Sequence, residues 1–204
     1  MSLLLIRHGE TPLNVARVLQ PADTPLSPRG QSQAEALAQR LAREPLAGLL
    51  ASDLPRAWQT AAAISAATGL PVQASALLHE RHYGDLRGQP YDTLGFNPLT
   101  MEDAPPGGES QAAFSARAAQ AWAELLALRR RLGGPLVVVT HGLVLREWLR
   151  HSLQLPPGMA LPARMSNASL TRALAEPPHT VTLLDCTAHL AGGLGDDAQA
   201  LSGG

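Results

Sequence analysis

Residues 136–142 read Leu-Val-Val-Val-Thr-His-Gly, an apolar run that ends in a polar residue, a histidine and a glycine. Consecutive valines after a leucine predict a strand buried on both faces, as in the middle of a parallel sheet. Residues 3–9 have the same form, Leu-Leu-Leu-Ile-Arg-His-Gly, and predict a second buried strand. A histidine therefore follows the carboxyl end of each of these two predicted strands.

Helical patterns alternate with the strands along the rest of the chain. Ser27 and Pro28 are typical of a helix start, with Ser as N-cap and Pro at the first helical position. Further helices are predicted over about 54–67, 109–132 and 143–153, and further strands over 49–52, 72–78, 167–174 and 180–184. Residues 83–108 are rich in Gly and Pro and predict a loop-rich surface segment. This alternation indicates an α/β fold with a mostly parallel sheet, whose ligands bind beyond the carboxyl ends of the strands.

The composition is that of one ordinary globular domain. The chain has 204 residues, 45% of them hydrophobic and 16% charged, which predicts a single domain over 1–191 and a flexible tail over 192–204. The net charge of −1 gives no basic field for nucleic acid. No apolar run reaches the length of a membrane span, and the N-terminal run is too short for a signal peptide, so we expect a cytoplasmic protein.

The sequence contains no lysine, and this absence excludes several enzyme classes. P-loop enzymes and protein kinases need a lysine against the phosphates, and pyridoxal-phosphate enzymes need one for the Schiff base. Arginine remains well suited to phosphate, because its planar fork can donate two parallel hydrogen bonds.

Two features point to a phosphate site. His8 and His141 at equivalent strand ends favour an active-site pair, although a lone histidine is more often structural. We expect Ser52 or Asp53 to cap the next helix, which puts Arg56 in its first turn. A cation there opposes the helix dipole unless an anion binds at the same end. A solvent-facing arginine remains the alternative.

The motifs, taken in order, resemble the histidine phosphatase superfamily, which includes the cofactor-dependent phosphoglycerate mutases. The resemblance covers nearly the whole chain and implies a three-layer sandwich with a mostly parallel central sheet, as in the mutases. The matching segments are Arg7-His8-Gly9-Glu10-Thr11 with Asn14, Asp23 to Ser27 with Gly30, residues 52–61, His79-Glu80-Arg81, Pro106 to Ser110, and Thr140-His141-Gly142.

The resemblance also implies roles for individual residues. His8 would be the nucleophile that accepts the phosphoryl group, and Glu80 would protonate the leaving oxygen and then activate water. Arg7, Arg56, His141 and Asn14 would bind the phosphoryl oxygens without a metal or cofactor. Gln20, Ser52 and the backbone N–H of Gly142 are further expected contacts.

Several alternatives stay open. The leading function is a metal-independent phosphomonoesterase acting on a small phosphorylated metabolite. A phosphoglycerate mutase is the first alternative, since residues 80–84 resemble the mutase version of this segment, and Arg81 or Arg87 could bind a carboxylate. A non-catalytic phospho-ligand binding module is the second. The sequence leaves the oligomeric state open.

Other residues receive ordinary interpretations. His79 and His82 flank Glu80 but lack the four-residue helical spacing of a zinc motif. Cys186 is expected to be a buried, inert thiol. The three tryptophans are expected to pack in the core, and the arginines at 129–131 to complement a helix dipole. The tryptophans are Trp58, Trp122 and Trp148, and the arginines are Arg129, Arg130 and Arg131.

Overall fold

The computed structural model describes residues 2–190 and 192–195. Its strands are β1 (Ser2–Arg7), β2 (Gly48–Ala51), β3 (Val72–Ala74), β4 (Leu136–Thr140), β5 (Leu170–Leu174) and β6 (Val181–Cys186). Its α-helices are α1 (Pro12–Val15), α2 (Pro28–Leu41), α3 (Pro55–Thr68), α4 (Gln111–Leu132) and α5 (Gly142–His151). The predicted flexible tail lies mostly outside the described residues, because 196–204 are not among them.

One mixed sheet of six strands forms the centre, in the order β3-β2-β4-β1-β5-β6. Strands β1 to β4 pair in parallel, whereas β5 runs antiparallel to both of its neighbours. The predicted mostly parallel sheet is confirmed. β1 and β4 lie side by side in the middle, and every residue of β4 is buried, as its apolar run predicts.

Helices cover both faces of the sheet, which confirms the three-layer α/β architecture. Alternate side chains of β1 and β4 point to opposite faces. Leu5 and Val138 pack in one core with α4 and α5. Ile6 and Val139 pack in the other core with α2 and α3.

Several predicted helix boundaries are confirmed. Ser27 caps α2 with its side chain, which accepts from the N–H of Gly30, and Pro28 is the first helical residue. Gly69 ends α3 and Gly133 ends α4, both in the left-handed conformation that glycine adopts without steric cost.

Other local predictions are wrong. The strand predicted over 72–78 stops at Ala74, and a 3-10 turn follows over Ala76–Leu78. Among the described strands its one neighbour is β2, which ends at Ala51, so the ladder between the two strands ends there. The predicted Ser52 or Asp53 cap is also wrong: Leu54 is the N-cap of α3, without a side-chain hydrogen bond.

Two side chains lie in other surroundings than predicted. Trp58 is exposed, whereas Trp122 and Trp148 are buried as expected. Cys186 is only partly buried, and Arg40 Nη1 donates to its sulfur over 3.3 Å. Burial acts to raise the pKa of this thiol, but the Ala188 backbone and Arg40 outweigh it and lower the pKa.

The predicted loop-rich segment at 83–108 is held by a small core of its own. It contains 3-10 turns at Gly84–Leu86, Tyr91–Thr93 and Pro98–Thr100. Tyr83 and Tyr91 are buried against Leu19, so this part of the segment is packed rather than loose.

None of the described helices has both the length and the apolar character needed to cross a membrane.

Candidate active site

The register of the two central strands brings His8 and His141 together. Arg7 of β1 is aligned with Thr140 of β4, so the next residue of each strand is a histidine at the same edge of the sheet. The backbone N–H of His8 donates to the Thr140 carbonyl over 3.0 Å. The two imidazole ring centroids are 5.1 Å apart. The pair predicted from the two strand ends is therefore formed.

Hydrogen bonding fixes the tautomer of His8. Its Nδ1 lies 2.7 Å from the carbonyl oxygen of Gly9, which can only accept, so Nδ1 carries the proton. Nε2 is then left with its lone pair. Burial, followed by the charges of Arg56 and Arg7, lowers the pKa of His8 well below its ordinary value, so the ring is neutral near pH 7.

Two buried arginines lie beside the histidines. Arg7 comes from the end of β1 and donates to the Met165 carbonyl over 2.5 Å. Arg56 is the second residue of α3, and its Nη1 donates to the Pro21 carbonyl over 3.4 Å. The pKa of Arg56 is lowered to about 10, chiefly by burial, while Glu80 acts to raise it and Arg87 and Arg7 act to lower it. Arg56 thus keeps its charge at neutral pH, at the helix end where the sequence predicts it.

Ser52 orients the second histidine. Its hydroxyl lies 2.9 Å from His141 Nε2 and accepts from the Leu54 N–H over 3.3 Å. The hydroxyl proton is thus free to go to Nε2, and in that arrangement the ring proton of neutral His141 lies on Nδ1. That atom is buried and has no hydrogen-bond partner among the described residues. Burial and then Arg56 lower the pKa of His141 well below its ordinary value.

Glu80 is a buried carboxyl group held by two backbone N–H groups. Those of Arg81 and Leu143 donate to its two oxygens over 3.0 and 3.1 Å. Burial raises the pKa of Glu80, although both N–H groups and the charges of Arg56 and Arg7 oppose this. The raised pKa favours the protonated acid, and the influence of both arginines places Glu80 in the same cluster as the histidines.

Asn14 and Gln20 join this cluster through Thr11. Thr11 caps α1 in a capping box with Asn14, and its hydroxyl donates to Gln20 Oε1 over 2.7 Å. Asn167 Nδ2 bridges Asn14 Oδ1 and the carbonyl oxygen of His8, at 3.3 and 3.2 Å. Gly142 follows His141 as the first residue of α5 and is buried. The structure thus brings every predicted site residue to one edge of the sheet.

Gly9 lies directly against the backbone at the start of α2. A Cβ at Gly9 would lie 2.5 Å from the Gly30 carbonyl oxygen, and a Cβ at Gly30 would lie 2.0 Å from that of Glu10. The two glycines let the start of α2 press against the loop that carries His8.

Sequence reasoning missed the residues that support this cluster from other elements. Arg117 of α4 donates to the carbonyls of Leu77, His79 and Glu80 and forms an ion pair with Glu109. Asn167 precedes β5 and contacts the His8 loop. Neither lies in a motif or a periodic pattern, so no signal in one sequence points to them.

Comparison with known proteins identifies relatives along most of the chain. The family model described as the histidine phosphatase superfamily (branch 1) matches residues 3–184. The glucosyl-3-phosphoglycerate phosphatase of Mycobacterium tuberculosis is 37% identical over 190 residues, which cover 83% of each chain. A protein of Yersinia enterocolitica, named as a probable phosphoglycerate mutase, is 33% identical over 187 residues, or 84% of each chain.

Solved structures agree with this grouping. The mycobacterial glucosyl-3-phosphoglycerate phosphatase in complex with VO3 superposes with a TM-score of 0.76 at 32% identity, covering 91% of this chain and 98% of that one. The α-ribazole phosphatase of Shigella flexneri gives a TM-score of 0.77 at 27% identity, covering 92% and 97%. Motifs, fold and relatives therefore agree, and the chain belongs to the histidine phosphatase superfamily, branch 1.

Proposed function

We propose that the protein is a metal-independent phosphomonoesterase that hydrolyses a small phosphorylated metabolite through phospho-His8. The observation that carries this proposal is the tautomer of His8, whose Nδ1–H is held by the Gly9 carbonyl so that Nε2 keeps its lone pair. Relatives named as phosphatases, of glucosyl-3-phosphoglycerate in one case and of α-ribazole phosphate in another, support the same reaction class. The expected cytoplasmic location stays a prediction.

In the first half-reaction, His8 Nε2 attacks phosphorus, and the bond from phosphorus to the ester oxygen breaks. Glu80 gives its proton to that oxygen, so the product leaves as an alcohol. Arg7 and Arg56 neutralise the charge on the phosphoryl oxygens, and His141 donates from Nδ1. Phosphoryl transfer needs mainly this positioning and charge neutralisation.

In the second half-reaction, the Glu80 carboxylate takes a proton from water as the water oxygen attacks phosphorus. The N–P bond breaks, inorganic phosphate leaves, and both His8 and Glu80 return to their starting states. Ser52 serves this cycle by holding His141 in the tautomer that donates, and Asn14 and Gln20 complete the wall beside His8.

The test is to trap the intermediate in the presence of EDTA. Brief mixing with ³²P-labelled substrate and acid-free quenching should leave label on His8 that is labile to acid and stable to alkali. Vanadate should inhibit, because it imitates five-coordinate phosphorus. The variant His8→Ala should neither turn over substrate nor retain label.

Three outcomes would contradict the proposal. Label on a serine or an aspartate would mean another nucleophile. Loss of activity in EDTA that zinc or magnesium restores would mean a metal-dependent reaction. Binding of phosphorylated ligands without any turnover or label would favour the non-catalytic module.

A phosphoglycerate mutase is the second candidate, favoured by the mutase-like residues 80–84 and by a relative that carries that name. It shares the phospho-His8 step and differs in the fate of the intermediate. A mutase returns the phosphoryl group to an acid, whereas a phosphatase passes it to water.

A further inference from the structure

We propose that Arg87, assisted by His82, binds a second anionic group, a carboxylate or a phosphate, on the leaving group of the substrate. This inference rests on the proposed phosphomonoesterase and names the chemistry of its substrate. It also selects Arg87 over Arg81, since the sequence leaves open which of these two arginines binds a carboxylate.

The side chain of Arg81 makes its hydrogen bonds within the protein. Its side chain is 2% exposed, and it donates to the Met101 carbonyl over 2.7 Å and to Gln111 Oε1 over 2.9 Å. The guanidinium also lies 5.3 Å from the ring centre of Tyr83. Arg81 therefore fastens residues 101–111 to the acid-bearing segment and is not available to a ligand.

Arg87 is in a different position. It is partly exposed, and no carboxylate of the described residues lies within ion-pair distance of it. The acid whose charge acts on the pKa of Arg87 is Glu109, which is already paired with Arg117 over 2.7 Å. The charge of Arg87 in turn acts to lower the pKa of Arg56, one of the two arginines assigned to the phosphoryl group.

The contact between Arg87 and His82 contains two donors that face each other. Arg87 Nη1 lies 3.0 Å from His82 Nε2, while the Gly84 N–H donates to His82 Nδ1 over 2.9 Å. A neutral imidazole carries one proton, so in either tautomer one N–H points at another donor. Burial and then Arg87 lower the pKa of His82, which favours this neutral form.

The backbone around Gly84 bears on which ring nitrogen of His82 carries the proton. Gly84 has φ of 52°, and a Cβ there would lie 1.9 Å from the Pro106 carbonyl oxygen. The Asp85 N–H is bound to that same oxygen over 2.9 Å. With the Gly84 N–H held in this way, His82 Nδ1 accepts from it in the tautomer that keeps this hydrogen bond, and Nε2–H then faces the guanidinium. An anionic oxygen that accepts from both groups would satisfy them together.

The position of Arg87 indicates which end of the substrate carries that anion. Arg7, Arg56 and His141 are assigned to the transferred phosphoryl group. Glu80, which protonates the leaving oxygen, lies seven residues before Arg87 on the same packed segment. A group that reaches Arg87 while its ester oxygen meets Glu80 belongs to the leaving group.

The experiment compares esters that differ only in the second anion. For the carboxylate these are 3-phosphoglycerate and glycerol 3-phosphate, and for the phosphate they are propane-1,3-diol bisphosphate and its monophosphate. The wild-type enzyme should prefer the anionic member of at least one pair, which also identifies the anion. Arg87→Ala should lower kcat/KM for that member about 10- to 100-fold, as expected for a charged hydrogen bond, and should lower it by a much smaller factor for the member that lacks the second anion.

Further variants separate recognition from damage. Arg87→Lys keeps the charge but loses the fork, and it should recover part of the preference. Arg43→Ala removes an exposed arginine between α2 and β2, at the opposite edge of the sheet, and should change nothing. Inhibition by inorganic phosphate should change far less in Arg87→Ala than kcat/KM for the anionic member, because phosphate alone occupies the other site.

Failure of this inference differs from failure of the proposed function. Equal hydrolysis of both members by the wild type, or equal losses for both in Arg87→Ala, would refute the anion site while the phosphatase stands. If the enzyme hydrolyses none of these esters, the affinity of His8→Ala for both members of each pair is measured by calorimetry instead. If His8→Ala binds the anionic member more tightly and the double variant His8→Ala/Arg87→Ala does not, the anion site is supported. If His8→Ala binds both members equally, the anion site is refuted.

Discussion

His8 and Glu80 share one buried site, and burial moves their pKa values in opposite directions. Burial disfavours the charged form of each group, so it lowers the pKa of His8 and raises that of Glu80. Both shifts favour the uncharged form, of the proposed nucleophile in one case and of the proposed acid in the other. This is the pair of protonation states that the first half-reaction requires.

The pH dependence should follow from these two shifts. As pH falls through the lowered pKa of His8, Nε2 gains a proton and phosphorylation slows. As pH rises through the raised pKa of Glu80, the acid is lost and phosphorylation slows again. Single-turnover rates of phosphoenzyme formation should therefore have two limbs, and Glu80→Gln should abolish the alkaline one. Comparing both proteins on one substrate cancels the ionisation of the substrate itself.

The same variant should depend on the leaving group. Glu80→Gln should slow phosphorylation by alkyl phosphates about 10²- to 10⁴-fold, the usual value of general acid catalysis. An aryl phosphate, whose leaving oxygen needs little protonation, should lose less. Equal losses for the two kinds of ester would assign Glu80 another role.

At this scale the sequence predicts the reacting groups better than their supports. His8 and His141 follow apolar strands whose pairing can be expected, so their meeting can be expected too. The Glu80 carboxyl group accepts from the Leu143 N–H of α5, and the Glu80 backbone carbonyl accepts from Arg117 of α4. Those contacts exist only after distant elements pack, and no local pattern records them.

Among the elements, the contact between α2 and the His8 loop is the most sensitive to added volume. Gly30→Ala places a Cβ against the Glu10 backbone, which cannot rotate away as a side chain would. We expect a loss of about 1–3 kcal/mol of stability from overpacking, together with a fall in kcat/KM because the loop carrying His8 must shift.

Gly69→Ala is the matched control. Gly69 ends α3 with φ of 74° and has no atom within 4 Å of an added Cβ. Gly69→Ala should lower the free energy of unfolding by about 1–2 kcal/mol through the left-handed backbone alone and leave kcat/KM unchanged. Urea unfolding and steady-state kinetics measure both effects. Normal kcat/KM in Gly30→Ala would show that the contact does not position His8.

Element boundaries were predictable where a local rule acts and not elsewhere. The N-cap of α2 and the glycines after α3 and α4 follow from backbone chemistry within a few residues. The short helix α1 depends on the Thr11–Asn14 capping box, whose signal is weak in so short a stretch. The end of β3 depends on the end of β2, which lies elsewhere in the sequence.

For the whole molecule, the distribution of charge bears on whether the enzyme acts as a phosphatase or as a mutase. The sequence has no basic residue between Arg87 and Arg117, and the acids in that stretch taken alone predict repulsion of an acidic substrate. The fold weakens that argument, because Asp92 is paired with Arg17 and Glu109 with Arg117. A count of the cations that remain for a ligand is the better guide.

A mutase must hold an acid bearing a carboxylate and two phosphates in its bisphosphorylated intermediate, whereas the described arginines assigned to this site account for two of these three anions. In the proposed mechanism Arg7 and Arg56 bind the transferred group, and Arg87 binds one other. The neighbouring arginines are engaged: Arg17 with Asp92, Arg81 with Met101 and Gln111, and Arg117 with Glu109.

We therefore expect phosphatase activity to exceed mutase activity, because an acid held by one arginine should leave before it can reclaim the phosphoryl group, and water then takes it. The enzyme is incubated with 3-phosphoglycerate, with and without catalytic 2,3-bisphosphoglycerate, and both 2-phosphoglycerate and free phosphate are followed. Phosphate should accumulate at a rate that the bisphosphate does not increase. Rapid isomerisation that needs the bisphosphate and releases little phosphate would reverse this assignment, and it would mean that the site retains the acid by contacts other than these arginines.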